Sequence, residues 1–401
     1  QRNQIRSTLS CQPLVFIGLI SYSLYLWHWP VIVFTRIYFE HLDWKQIIFA
    51  TTISSLLSVL SWRYVETPFR NKKIIEKPKN IFRIALSTNI LLIIISIFLV
   101  TTNGLDFRFP NYSSVLSEDT KWNGSEFAFD YEKDLVLHYL PTLGKERPDR
   151  DSNPDFIVWG DSHGMVLCNL IDFVAKKHDL YGKAIVNSGF LPVPNIKVEI
   201  GGEVNHSDVK IKQKVMQLLD KYRPKHLILI ARWARYLGYS SQEFNEEPVH
   251  LIEDNKRHSP EKPGAILQRN LKELVSFCET RGMSVWIVKQ VPETAERYPA
   301  RQLLAYVLGR KKNLSDKRKT IVEYEQMVEP VDKIFETVTP HENTQLIITD
   351  QLLWNDNERT INYEGSRSIY RDFNHLTRLG LEKTRPAMDR LFEEFSKQQN
   401  D

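Results

Sequence analysis

Three stretches within the first 105 residues carry no charged side chain for about the length of a lipid bilayer: 14–34, 46–62 and 84–105. A helix rises 1.5 Å per residue, so a hydrocarbon core of ~30 Å takes about 20 apolar residues, with about 17 as the lower limit. Buried helices of a large soluble core are the alternative reading, but three such stretches joined by short basic loops do not fit a soluble layered architecture. The front of the chain is therefore expected to be a bundle of three transmembrane helices. Averages over all 401 residues hide this, because 53 Lys and Arg against 49 Asp and Glu describe an ordinary, slightly basic protein. The charge divides unevenly. Residues 1–105 hold 11 Lys and Arg against 4 Asp and Glu, a net of +7, and the other 296 hold 42 against 45, a net of −3.

That division sets an orientation. The loop between the second and third stretches carries Arg63, Arg70, Lys72, Lys73, Lys77, Lys79 and Arg83 against Glu66 and Glu76. Positive loops stay in the cytoplasm. Arg2 and Arg6 fall on the same side, so everything after about Gly104 is expected outside the cytoplasmic membrane. The chain starts at Gln1 with no signal-peptide pattern and reads as the C-terminal part of a longer membrane protein. His28 in the first stretch admits two readings: an intramembrane functional group, or an interfacial packing residue beside Trp27, Trp29 and Pro30.

The rest reads differently. Residues 106–150 mix aromatics with polar residues and Pro, the composition of a connector packed on the next domain rather than a free linker. From Asp155 onward, short continuous apolar runs at 155–160, 183–188, 226–231, 284–290 and 345–350 alternate with amphipathic stretches at 163–178, 208–222, 264–281, a less regular 300–338, and 378–396. Continuous β-branched runs mark strands buried on both faces. The expected fold of residues 151–401 is thus α/β, a mostly parallel sheet flanked by helices, with chemistry at the carboxyl ends of the strands.

Two segments carry that chemistry. The first strand runs into Gly160-Asp161-Ser162-His163, and a helix follows at once. A serine on such a turn presents its hydroxyl near the positive end of a helix, where backbone N–H groups can receive an oxyanion. Near the C-terminus, Asp372 and His375 stand three apart on one loop before the last helix. They have the types needed for a base and the acceptor that fixes its tautomer. Asp161 is expected to fix the turn rather than react, and His163 to point away from its neighbour's hydroxyl.

These two segments resemble the first and last blocks of the SGNH/GDSL hydrolase superfamily. Residues 18–34, GLISYSLYLWHWPVIVF, and 61–70, SWRYVETPFR, resemble the final helices of the acyltransferase-3 membrane family. Together they are similar to bacterial O-antigen and polysaccharide O-acetyltransferases in which the two parts are fused. The resemblance implies Ser162 as nucleophile, His375 as general base and acid, and Asp372 as its orienter. It also implies an oxyanion hole from the N–H groups of Ser162 and Gly189. The superfamily's third block normally supplies an Asn side chain, but here the third strand ends in Ile230-Ala231-Arg232-Trp233. Arg232 is the candidate replacement donor, and Trp233 a candidate substrate-binding residue.

The expected activity follows from the resemblance: a membrane O-acyltransferase that passes an acetyl group through acyl-Ser162 to a hydroxyl of a cell-envelope polysaccharide, such as lipopolysaccharide O-antigen, or of a lipid-linked glycan. A membrane-anchored extracytoplasmic carbohydrate esterase and a non-catalytic glycan-binding module are the alternatives. Acetyl-CoA is the implied acyl donor to the full-length membrane domain, with no cofactor bound by residues 1–401. The implied partners are the bilayer and the missing N-terminal membrane helices, and the implied location is the bacterial inner membrane with the SGNH-like domain in the periplasm. Three scattered Cys, Cys11, Cys168 and Cys278, and His residues without ligand spacing point to no disulfide framework and no metal site. The basic excess lies in the membrane loops, which argues against nucleic-acid binding.

Overall fold

The computed structural model describes residues 11–39, 43–71, 78–102, 105, 124–130, 136–146, 152–204, 207–239, 244, 246–253, 263–299, 302–303, 317–339, 343–349, 351–365 and 367–400. The chain divides into two compact units, Gln1–Leu105 and Asp106–Asp401.

The first unit is helical: α1 (Gln12–Phe39), α2 (Trp44–Ser61) and α3 (Pro78–Thr101). A π-helical turn over Trp62–Glu66 and one α-turn over Thr67–Arg70 extend α2. Among the described residues, three helices are long and apolar enough to cross a membrane: Gln12–Arg36, Trp44–Arg70 and Phe82–Thr101. Small residues of α2, Ala50, Ser54 and Ser58, are its buried ones, as expected where helices associate in lipid without a hydrophobic drive and must pack closely. The Ser23 hydroxyl donates to Glu66 at 3.1 Å. In α1, His28 bonds back to its own helix, its Nδ1 donating to the Tyr25 carbonyl at 2.7 Å. Lys72, Lys73, Lys77, Arg2 and Arg6 lie outside the described residues.

The second unit is built on a six-stranded sheet in the order β1-β3-β2-β6-β8-β9. Its strands are β1 (Thr142–Gly144), β2 (Phe156–Gly160), β3 (Tyr181–Val186), β6 (His226–Ile230), β8 (Ser284–Val288) and β9 (Thr344–Ile347). Five are parallel, and β1 pairs antiparallel with β3 at the edge. Helices α4 (Ser162–Lys177), α5 (Ser207–Tyr222), α6 (Pro263–Glu279), α7 (Ile321–Glu336) and α8 (Arg378–Asn400) complete the fold. Side chains alternate across a strand, so each central strand feeds two cores. Ile157, Trp159, Leu227, Leu229, Val285 and Ile287 join residues of α5, α6 and α7 in one core. Phe156, Val158, Ile228, Ile230, Trp286 and Val288 join α4 and α8 in the other.

Two parts of this fold differ from the sequence reading. Residues 142–144, placed in the connector, form β1 of the sheet, and Phe129, Leu137 and Leu140 of that stretch are core residues. Most of the connector's aromatics, Phe107, Phe109, Tyr112, Trp122 and Tyr131, lie outside the described residues. A small antiparallel sheet, β4 (Lys197–Ile200), β5 (Glu203–Val204) and β7 (Val249–Ile252), and a β10 (Tyr363–Glu364)/β11 (Arg367–Ser368) hairpin have no counterpart among the strands expected from the sequence. Strands of two to four residues are too short for their periodicity to stand out from loop sequence.

Candidate active site

The site forms where β2 ends. Gly160 permits a close approach between strands: a Cβ there would lie 2.4 Å from the Ile230 carbonyl oxygen of β6. Asp161 then caps α4, its Oδ1 accepting the His163 N–H at 2.8 Å. The other oxygen, Oδ2, accepts the Arg232 N–H at 2.8 Å and the Tyr236 hydroxyl at 3.1 Å. One buried carboxylate therefore ties the β2 turn to the end of β6. Burial raises its pKa, and the Arg232 and His163 N–H groups and the Tyr236 hydroxyl pull the other way.

Ser162 begins α4, and its Oγ lies 2.9 Å from His375 Nε2. His375 Nδ1 is 2.9 and 3.0 Å from the two Asp372 carboxylate oxygens. A carboxylate accepts only, so Nδ1 carries the proton, and Nε2 is left to accept the Ser162 O–H. Asp372 also accepts the backbone N–H groups of His375 at 2.8 Å and Asn374 at 3.1 Å. Burial opposes its ionisation but is outweighed by the bonds from His375 and these N–H groups, which hold the carboxyl below its usual range. The structure thus brings together Ser162, His375 and Asp372.

His163 is buried behind them, its ring centroid 5.2 Å from that of His375. Burial first, then the nearby positive groups, push its pKa well below the ordinary histidine value. It is a neutral neighbour of the site, and among the described residues its Nε2 has no hydrogen-bond partner.

Gly189 sits in the turn after β3 at φ +68°, a left-handed conformation that glycine adopts without steric cost. Asn187 holds that turn: its side chain donates to the Phe129 carbonyl at 2.9 Å and accepts the Ser188 N–H at 2.8 Å. The N–H groups of Ser162 and Gly189 have no acceptor among the described residues. Both residues line one cavity of about 360 Å³ with Asp372 and His375.

Two sequence expectations need correction. The Arg232 guanidinium reaches the cavity wall but is already engaged: Nε donates to Glu293 at 2.6 Å, and Nη1 and Nη2 donate to the two Glu246 oxygens at 2.5 and 2.9 Å. It lies 5.1 Å from the Phe373 ring centroid. Burial disfavours its charge, yet the two carboxylates more than offset this and keep it cationic. Its donors are turned to carboxylates rather than to an oxyanion. Trp233 is not a substrate contact. Its side chain is fully buried, its indole N–H donates to the Val288 carbonyl at 2.9 Å, and it packs edge-on against Phe335.

Other lining residues had no sequence signal of their own. Tyr236, Glu246, Arg297, Tyr298, Phe373 and Asn374 reach the cavity from loops after β6 and β8 and beside His375. Among the described residues, no three His, Cys, Asp or Glu side chains group as metal ligands. Cys11, Cys168 and Cys278 are unpaired, the last two buried.

The parallel sheet, the serine at the β2–α4 turn and the aspartate and histidine before the last helix define an SGNH-type α/β domain. The model of one such family, the SGNH domain fused to AT3 domains, matches residues 129–390, and the chain belongs to that family. Among curated proteins, the O-acetyltransferase OatA of Staphylococcus aureus strain NCTC 8325 is 42% identical over 66 residues, 16% of this chain and 11% of that protein. The chain therefore aligns with about a tenth of that relative's length. Among solved structures, the periplasmic domain of the Salmonella Paratyphi A lipopolysaccharide acetyltransferase is similar at 14% identity and a TM-score of 0.43, over 73% of this chain and 98% of that one. A GDSL-like lipase from Bacteroides thetaiotaomicron matches at 10% identity and a TM-score of 0.33, over 60% of this chain and 87% of the other.

Proposed function

We propose that this chain is part of a membrane O-acetyltransferase that moves an acetyl group through Ser162 to a hydroxyl of a cell-envelope polysaccharide. The observation that carries this reading is the hydrogen-bonded sequence Ser162 Oγ, His375 Nε2, His375 Nδ1, Asp372, beside two uncommitted N–H groups at Ser162 and Gly189. His375 takes the Ser162 proton as Oγ attacks the acyl carbon of the donor. The oxyanion meets the two N–H groups, and His375 returns the proton to the leaving group. The same base then deprotonates a sugar hydroxyl, which attacks the acyl carbon and releases Ser162. Asp372 stays ionised and stabilises the imidazolium in each half.

Membership of a family in which this domain is fused to AT3 domains supports a transferase over a hydrolase, as does the O-acetyltransferase name of the Staphylococcus relative. In this reading the membrane part delivers acetyl groups from cytoplasmic acetyl-CoA, and the SGNH domain works on the periplasmic side of the inner membrane. The test uses the whole chain in detergent with 4-nitrophenyl acetate and an envelope glycan. Ser162-dependent nitrophenolate release together with acetyl on the glycan is expected. Release without glycan acetylation identifies an esterase, and no Ser162-dependent release overturns both enzymatic readings.

A further inference from the structure

Three arginines line the cavity, and their charges are not equivalent. Arg232 is bound by Glu246 and Glu293, as described. Arg235 lies 3.0 Å from Glu246 and donates to the Glu247 carbonyl at 3.2 Å. Arg297 has no carboxylate partner among the described residues. Its guanidinium lies 5.5 Å from the ring centroid of Tyr298, which also lines the cavity.

The sheet order says which side of Ser162 these two residues occupy. Gly189 follows β3, on one side of β2, whereas Arg297 and Tyr298 follow β8, beyond β6 on the other. A carbonyl oxygen held by the Ser162 and Gly189 N–H groups lies toward β3. The incoming hydroxyl must reach His375 Nε2, and the His375 loop is tied to the loop after β8: the Thr294 N–H donates to the Phe373 carbonyl at 2.8 Å. The acceptor therefore approaches past Arg297 and Tyr298.

We infer that Arg297 and Tyr298 form the acceptor subsite, and that the acceptor sugar is anionic, carrying a carboxylate or phosphate group. This rests on the acyl-Ser162 reading above. An aromatic face offers an apolar surface to a sugar ring, and a guanidinium pairs with carboxylate or phosphate through two parallel N–H bonds. In the transfer step the acceptor O–H proton passes to His375 Nε2, the sugar oxygen bonds to the acyl carbon, the bond from that carbon to Ser162 Oγ breaks, and Oγ takes the proton back.

The test is calorimetric binding to the whole 401-residue chain carrying Ser162→Ala, in detergent and at low salt. The probes are three tetrasaccharides of equal length: neutral hexose, uronic acid and phosphorylated hexose. One anionic probe is expected to bind about tenfold tighter than the neutral one, and which one does so identifies the substituent. Adding Arg297→Gln is expected to bring that ratio to about threefold or less, and Arg297→Lys to restore part of it. If the glutamine variant does not fold, rising ionic strength must erase the preference in the parent chain. Equal affinities, a preference that survives Arg297→Gln or added salt, or no binding of any probe overturns the inference. Nitrophenyl acetate turnover by the unmutated chain is measured separately. Its absence sinks the acyl-serine reading, whereas turnover with no anion preference sinks the subsite alone.

Discussion

His375 Nε2 stands 2.9 Å from Ser162 Oγ although 213 residues separate them in the chain. The contact is produced by the core. Ser162 opens α4 and the His375 loop precedes α8, and both helices contribute to one hydrophobic core on the same face of the sheet: Val166, Leu170 and Val174 from α4, Leu391, Phe392 and Phe395 from α8. Phe392 packs edge-on against Phe156 of β2 at 5.1 Å between ring centroids.

Removing either partner of that contact should remove turnover. Ser162→Ala and His375→Ala are each expected to lower nitrophenyl acetate turnover by about 10³-fold or more, and the double variant little further, because such groups act as one unit. Asp372→Asn is expected to cost a similar order by losing the acceptor that fixes the imidazole tautomer. Stopped-flow nitrophenolate release measures this, with near-ultraviolet circular dichroism to show that each variant is folded. A double variant losing activity multiplicatively would sink the shared-unit account.

Gly189→Ala tests the oxyanion donors. The added Cβ would lie 3.3 Å from Ile200 Cδ1, close enough that this side chain must shift by a few tenths of an ångström, and φ +68° is a conformation alanine resists. A cost of about 1–2 kcal/mol is relieved by rotating the turn, which moves the Gly189 N–H. We expect kcat to fall about tenfold or more, since losing one such donor outright costs about 10²–10³, with KM for the small ester nearly unchanged. A rise in KM at constant kcat would argue against an oxyanion role.

The parts of the fold visible in sequence were those with repeated physical signals. Continuous apolar runs marked the parallel strands because burial on both faces removes alternation, and Gly160-Asp161-Ser162 and Asp372-x-x-His375 were visible because their chemistry needs particular residue types. The roles of Arg232 and Trp233 are not legible in sequence because adjacency along the chain says nothing about orientation: after β6 the backbone turns Trp233 into the core and commits Arg232 to Glu246 and Glu293. Those carboxylates, 14 and 61 residues away, had no local pattern to reveal them. Arg297 and Tyr298 were equally silent, since a lone Arg-Tyr pair on a loop becomes meaningful only beside a cavity.

Arg232 should behave as a buried cation between two carboxylates. Arg232→Met takes from Glu246 and Glu293 their shared partner, leaving only Arg235 at 3.0 Å from the one and Lys319 at 3.5 Å from the other, for an expected loss of up to about 3–5 kcal/mol. Adding Glu246→Gln and Glu293→Gln should recover a large part of that. Thermal unfolding followed by tryptophan fluorescence measures it. A triple variant no more stable than Arg232→Met would count against charge pairing as the cause.

Stability should also fall with acid, and His226 supplies much of the reason. Its side chain is buried on β6, stacked on Phe395 at 3.7 Å, with Nδ1 accepting the Trp286 indole N–H at 3.3 Å. Burial, reinforced by Lys225, lowers its pKa from 6.5 to about 4. The unfolded chain therefore binds a proton first as pH drops, so stability is lost from about pH 6.5 down to about 4 and levels off below. Linkage puts the loss between pH 7.5 and 5 at about 2 kcal/mol from this residue, and buried His163 acts in the same direction. His226→Gln keeps an acceptor for Trp286 but cannot titrate, so its stability should depend less steeply on pH in that window even if its absolute stability is lower. Unfolding of both chains in denaturant at pH 7.5, 6 and 5 separates the two effects. Parallel curves for His226→Gln and the parent chain would show that His226 is not the titrating group.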